Sequence, residues 1–283
     1  MKMNLIQKSS LIAFIMLSVM SCTNPQKTES QIDEAAPQEI TYSTDDPKSI
    51  IKAVEMSCGS WNKLWEQKDV EFTYSYKYPQ EGKEDLSVER YVFDTEQSWG
   101  KYSRHDINVM PGTEGEVIQY YDGKSASLKQ NGEMIDNPEA IGGCQFLRQA
   151  NYFWFVMMFK LDNPGSIFEY TGNESVNSIA YDKVKVTYDP AVTGKEQNDT
   201  FILYVNPETK MVDQFYFSLP AFGFNDPVLL MTLEYEEING LKIPIKRSIW
   251  FPGEDGYGEE ANLIETSTGV KFNNGFSEES FSM

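Results

Sequence analysis

One histidine in 283 residues narrows the catalytic chemistry open to this chain. His105 stands in "SRHDI" with Asp106 beside it, the residue types of a nucleophile–base–acid relay. A strand through this stretch would send His105 and Asp106 to opposite faces. No nucleophile elbow accompanies them, and Gly142-Gly143-Cys144 is not one. His105 therefore reads as a structural or exposed residue. "DGKS" (Asp122 to Ser125) imitates the end of a phosphate-binding loop, but Ile118 stands where that loop needs a glycine, so it reads as a turn. "GEDGYGEE" (Gly253 to Glu260) is rich in oxygen ligands yet lacks the alternating acids of a calcium loop. It reads as solvated charge. No pair of carboxylates stands out for glycoside chemistry. Cys58 and Cys144 lie too far apart, with too little histidine, for a zinc site. They read as buried free thiols, with a disulfide as the alternative. The expectation is a protein that is no enzyme, with no cofactor and no metal.

What the chain does supply is apolar contact. "NYFWFVMMFKLDNPG" contains eight consecutive large apolar residues, Tyr152 to Phe159, in a chain of net charge −19. Trp154, Phe155, Met158, Phe217 and Met231 are the candidate lining of a hydrophobic ligand site, with methionine as an adaptable wall. The same residues would equally fill a closed core.

The elements that must position them follow from periodicity. In "DPKSIIKAVEMSCGSWNKLW", apolar residues recur at three- and four-residue spacing after a capping Asp46 and Pro47, which predicts a helix weakened or bent at Gly59. "VEFTYSYKY" then alternates strictly, as a half-buried antiparallel strand does. Further alternating stretches follow, with turns at Asp122-Gly123 and Asn131-Gly132, both suited to type I′ geometry. Asn137-Pro138 opens a second helix and Asn163-Pro164-Gly165 closes it, with a break or bend expected at Gly142-Gly143. Strands then resume to the end, and Pro244 marks an edge or a bulge. The fold class is α+β: one antiparallel sheet of roughly ten strands with one or two helices.

The N-terminus predicts a compartment. Lys2 and Lys8 precede an apolar run, Leu11 to Met20, shorter than the roughly 20 residues a membrane span needs. The run ends in "VMSC", which resembles the lipobox of bacterial lipoproteins. The resemblance implies cleavage of residues 1–21 and acylation of Cys22. Several acyl chains give stable anchoring. Thr23 is not the inner-membrane retention Asp, and "TNPQKT" lacks an acidic export signal. The outer membrane and its periplasmic face are therefore expected. Residues 22–45 read as a disordered tether and residues 46–283 as the folded domain. The strong negative charge excludes a nucleic-acid partner.

The order of elements is similar to the LolA/LolB-like fold, a curved, unclosed antiparallel half-barrel wrapped around helices. Two hairpins carry the likeness: "FILYVNPETKMVDQFYF" (Phe201 to Phe217) and "LEYEEINGLKIPIKRSIWF" (Leu233 to Phe251). The chain most resembles uncharacterised lipidated LolA-like proteins of Bacteroidota, over about residues 46 to 275. The resemblance implies a lipid-anchored envelope protein that holds a lipid or acyl chain in the concave face of its sheet. A scaffold lipoprotein, binding an envelope protein partner and no small ligand, is the alternative. True LolA lacks a lipidated cysteine and LolB is smaller, so neither role transfers directly.

Overall fold

A computed structural model describes residues 41–194, 197–281 and 283. The signal, the lipobox with Cys22 and most of the expected tether lie outside these residues.

Thirteen strands form one antiparallel sheet. They are β1 (Asp69–Tyr78), β2 (Lys83–Val92), β3 (Gln97–His105), β4 (Val117–Tyr121), β5 (Ala126–Gln130), β6 (Glu133–Met134), β7 (Ser166–Val176), β8 (Ile179–Tyr188), β9 (Phe201–Val205), β10 (Val212–Leu219), β11 (Phe224–Ile238), β12 (Leu241–Trp250) and β13 (Leu263–Phe272). The class matches expectation; the count exceeds ten because short strands such as β6 join the edge. Two meanders, β1 to β6 and β13 back to β7, meet where β1 pairs with β13. The sheet is open, with β6 and β7 at its edges. The chain passes from one edge to the other through the helix α3 (Pro138–Val156) and a 3₁₀ turn, Met157–Phe159.

Turn chemistry fixes the hairpins. Asn131-Gly132 and Asn239-Gly240 have positive φ at both positions, as type I′ turns require. At Asp122-Gly123 only Gly123 does. That turn is made instead by the Asp122 carboxylate, which accepts from the amides of Lys124 and Ser125 at 2.8 Å. The Asn206 side chain organises its turn in the same way. Pro244 lies beside a bulge in the β11–β12 ladder.

The first helix, α1 (Pro47–Cys58), stops outright at Gly59 rather than bending. Gly59 has φ +117, and its amide bonds back to Met56; an added Cβ would lie 2.7 Å from Leu241. A second helix, α2 (Trp61–Glu66), starts at once with Ser60 as its cap. Asp46 occupies the first cap position without a side-chain cap bond. By contrast α3 runs unbroken through Gly142 and Gly143, contrary to the expected break. Asn137 caps its start by accepting from the amides of Glu139 and Ala140, and Cys144 and Arg148 bury its inner face. These contacts outweigh the roughly 1 kcal/mol that each glycine costs.

Tyr42 is tied to the sheet. Its hydroxyl donates to Asp182 at 2.7 Å and its ring lies 4.0 Å from the Lys210 ammonium. Cys58 and Cys144 are free and buried. Burial pushes their thiols up, to about 12 and about 11.

Candidate functional site

The face of the sheet that meets α3 has two chemically different halves. From β8 to β12 it is apolar: Val184, Val186, Leu203, Phe215, Met231 and Ile243 are fully buried. The run Tyr152 to Phe159 packs into this main core, and no residue of it is exposed. A segment apolar all round is buried all round.

The five candidate lining residues all join this core. Trp154 and Phe217 are in ring contact at 5.4 Å, and Trp154 also stacks on Phe215 at 6.1 Å. Phe155 turns the other way, stacking on Phe72 at 5.1 Å. Met158 and Met231 are buried in the same cluster. Side chains of the plug segment thus fill the apolar half.

Across β2 to β4 the same face carries buried polar side chains. Cross-strand pairing aligns Asp85 with His105, Ser87 with Tyr102 and Glu89 with Gly100. All six are buried. Above them Arg148 of α3 forms a bidentate pair with Glu89: Nη1 donates to Oε2 at 2.6 Å and Nη2 to Oε1 at 3.2 Å. Ser87 and Tyr91 donate to the same carboxylate at 2.6 and 3.0 Å, and Arg148 Nη2 also donates to the Tyr102 hydroxyl. Both charged side chains are 0% exposed. Burial lowers the Arg148 pKa; Glu89, with Tyr102 and Tyr91, more than offsets this and holds it above the ordinary value. Burial, and then Glu89, raise the Tyr91 hydroxyl well above its usual range. Gly100 makes the pair possible, because a Cβ there would lie 2.3 Å from Arg148 Nη1.

A second buried arginine holds the other end of α3. Arg247 of β12 donates to the Trp154 carbonyl at 3.1 Å and to Glu265 of β13 at 3.4 Å. Trp154 lies in the last turn of α3, whose carbonyls have no partner within the helix, and a cation there meets the negative end of the helix dipole. Burial raises the Glu265 carboxyl, opposed by Arg247. The plug helix is thereby tied to both halves of the sheet.

Between α3 and β1–β3 a cleft opens to solvent. It measures about 210 Å³ including its mouth and is lined by Tyr74, Tyr76, Asp85, Tyr102, Asn108, Val109, Leu147 and Asn151. Asp85 is 3% exposed and accepts from the amides of Ile107 and Asn108, each at 2.8 Å.

His105 and Asp106 do not pair with each other. The His105 Nε2 lies 2.9 Å from the Gly115 carbonyl, while Asp106, on the outer face, binds Arg104. Among the described residues no three His, Cys, Asp or Glu side chains gather as a metal site. No helix among them is long and apolar enough to cross a membrane.

The Glu89–Arg148 pair, the Arg247–Glu265 pair and the Asp85 cleft were not singled out from sequence. One signal was available: within α3 the only charges are Glu139 in the first turn and Arg148 near the middle of the helix.

Residues 40–224 match DUF6503, a family of unknown function. No curated protein sequence matches the chain. Among solved structures, the fold is similar to a LolA superfamily protein from Nitrosomonas europaea (TM-score 0.50, 13% identity, 84% of this chain and 97% of that one). It is similar also to a protein from Vibrio parahaemolyticus described as an outer membrane lipoprotein-sorting protein domain (TM-score 0.51, 10% identity, 85% and 97%). A DUF1329 family protein from Desulfovibrio piger aligns at TM-score 0.49 and 14% identity, over 84% and 98% of the two chains. At these identities the first two likenesses establish the fold alone, which is LolA-like.

Proposed function

The chain belongs to DUF6503, a family of unknown function, and from that premise we propose that it is an envelope lipoprotein that holds an acyl chain between α3 and the apolar half of its sheet. One observation carries this reading: Trp154 and the run to Phe159 meet a continuous apolar wall from β8 to β12. Such a wall would receive a hydrocarbon chain wherever the plug segment shifts aside. Trp154, Phe155, Met158, Phe217 and Met231 are the proposed contacts. Lipidation of Cys22 would place the protein at the outer membrane, facing the periplasm, after removal of residues 1–21. Residues 22–45 would be the tether and 46–283 the binding domain. The fold shared with a protein described as a lipoprotein-sorting domain supports the reading, as does the resemblance to lipidated proteins of Bacteroidota. We read the role as binding rather than catalysis: the two buried arginines are each committed to a carboxylate.

A second reading, an interaction lipoprotein with a protein partner, is favoured by the completeness of the packing, with Phe155 and Met231 at 0% exposure. Mass spectrometry of organic extracts separates the two. Protein purified with Cys22→Ser should release lipid in stoichiometric amount. Repeated absence of lipid, with no binding of a fluorescent fatty acid, would sink the first reading and leave the second.

A further inference from the structure

The cleft beside α3 has a composition that the apolar reading does not use. Three tyrosines, Tyr74, Tyr76 and Tyr102, bring aromatic rings to its wall. Asn108 and Asn151 offer carboxamide oxygens, and Asp85 offers a buried carboxylate. The Asp85 carboxylate is held in place by two backbone amides and has no ion-pair partner among the described residues. Both buried arginines are committed elsewhere, Arg148 to Glu89 and Arg247 to Glu265. The cleft is therefore a small, tyrosine-lined pocket with one buried carboxylate that is held by two amides beside His105 and has no ion-pair partner among the described residues.

That chemistry selects a cation. A carboxylate attracts an ammonium, and the negative faces of aromatic rings add to the attraction once water is displaced. An anionic group would meet Asp85 as a like charge. A neutral hydroxyl could bond to the cleft but would leave the buried carboxylate uncompensated. Size agrees, since the inner end has room for a single water-sized group. The cleft also lies along α3 from the apolar half, with Leu147 and Asn151 on the same helix as Trp154.

We propose that this cleft seats a primary ammonium group, the polar end of an amphiphile whose chain lies against the apolar half of the sheet. The proposal rests on the acyl-chain reading above for the chain, and on Asp85 and the tyrosines for the ammonium. Burial pushes the empty Asp85 carboxyl upward, and a bound cation would oppose that shift.

Calorimetric titration of the Cys22→Ser protein at neutral pH with decylamine, decanol, decanoate and ethanolamine tests it. Decylamine should bind at least tenfold more tightly than decanol or decanoate. Asp85→Asn should abolish that preference while leaving decanol binding in place. Asn151→Trp fills the cleft without touching the Asp85 bonds, and should abolish the preference too, so misfolding of one variant cannot imitate the result. Ethanolamine competing with decylamine would mark a site for free amines; no competition would mark a lipid head-group site. Equal affinity for the three decyl compounds overturns the ammonium site but leaves the acyl-chain reading standing. A preference that survives in both variants overturns it as well. No binding by any of the four compounds overturns both.

Discussion

Glu89 and Arg148 illustrate how a buried charge can be sound in the folded protein and costly to disturb. Glu89 accepts from Arg148, Ser87 and Tyr91, so its desolvation is met by four hydrogen bonds. Removing one partner strands the other. Arg148→Met should cost about 3–5 kcal/mol, because a carboxylate is left buried and unpaired. Glu89→Leu should cost a similar amount by stranding Arg148. The double variant should be less destabilised than either single one, since both charges leave together; denaturant unfolding of the three proteins checks this. Double-variant losses equal to the sum of the singles would mean that the pair does not act as a unit. The residue pattern hid this network. In "LSVERYV" the apolar Leu86 and Val88 suggest an inner face, yet Val88 is 36% exposed and Ser87 and Glu89 point inward. A strand facing a polar layer inverts the usual alternation, and period alone does not say which face is which.

At the scale of elements, most of the architecture was legible. Strict alternation located β1, asparagine-led turns located the late hairpins, and Asn137-Pro138 located the start of α3. Two glycine readings failed in opposite directions. Gly59 ends its helix because a left-handed residue there lets the chain turn beneath Leu241. Gly142 and Gly143 keep helical geometry because α3 is held by its cap and its buried face. Neither has any atom within 4 Å of where a Cβ would be. Their lack of a side chain therefore serves no packing purpose in the folded domain. Gly142→Ala and Gly143→Ala should each raise stability by about 0.4–1 kcal/mol, chiefly by restricting the unfolded chain. A rise in the denaturant midpoint with an unchanged slope checks it. A loss of stability would show that the helix is bent or mobile at this point.

Across the whole molecule, two meanders share one seam, and three features bridge it. The first is the β1–β13 ladder and the second is α3 with its two arginine contacts. The third is the segment after β13. Asp69 of β1 accepts from the Asn274 amide at 2.7 Å, the Asn274 side chain at 3.0 Å and the Gly275 amide at 3.1 Å. Beyond it, Arg90 of β2 donates to the Ser280 carbonyl at 2.7 Å and lies between the rings of Trp99 and Phe276. Phe281 stacks on Tyr120 of β4 at 5.8 Å. The C-terminal strap thus carries the chain from the second meander across β1 to the outer face of the first. Truncation after Asn273 would remove three donors from a buried carboxylate and uncover Trp99 and Tyr120. The expected loss is a few kcal/mol, by analogy with other buried groups left unpaired. It should fall unevenly, because the strap's contacts lie with β1, β2 and β4. Hydrogen exchange of the truncated chain should show protection falling first in residues 83–130, with residues 179–219 little changed. A uniform fall across both regions would mean that the two meanders unfold as a single unit and that the strap adds only to overall stability.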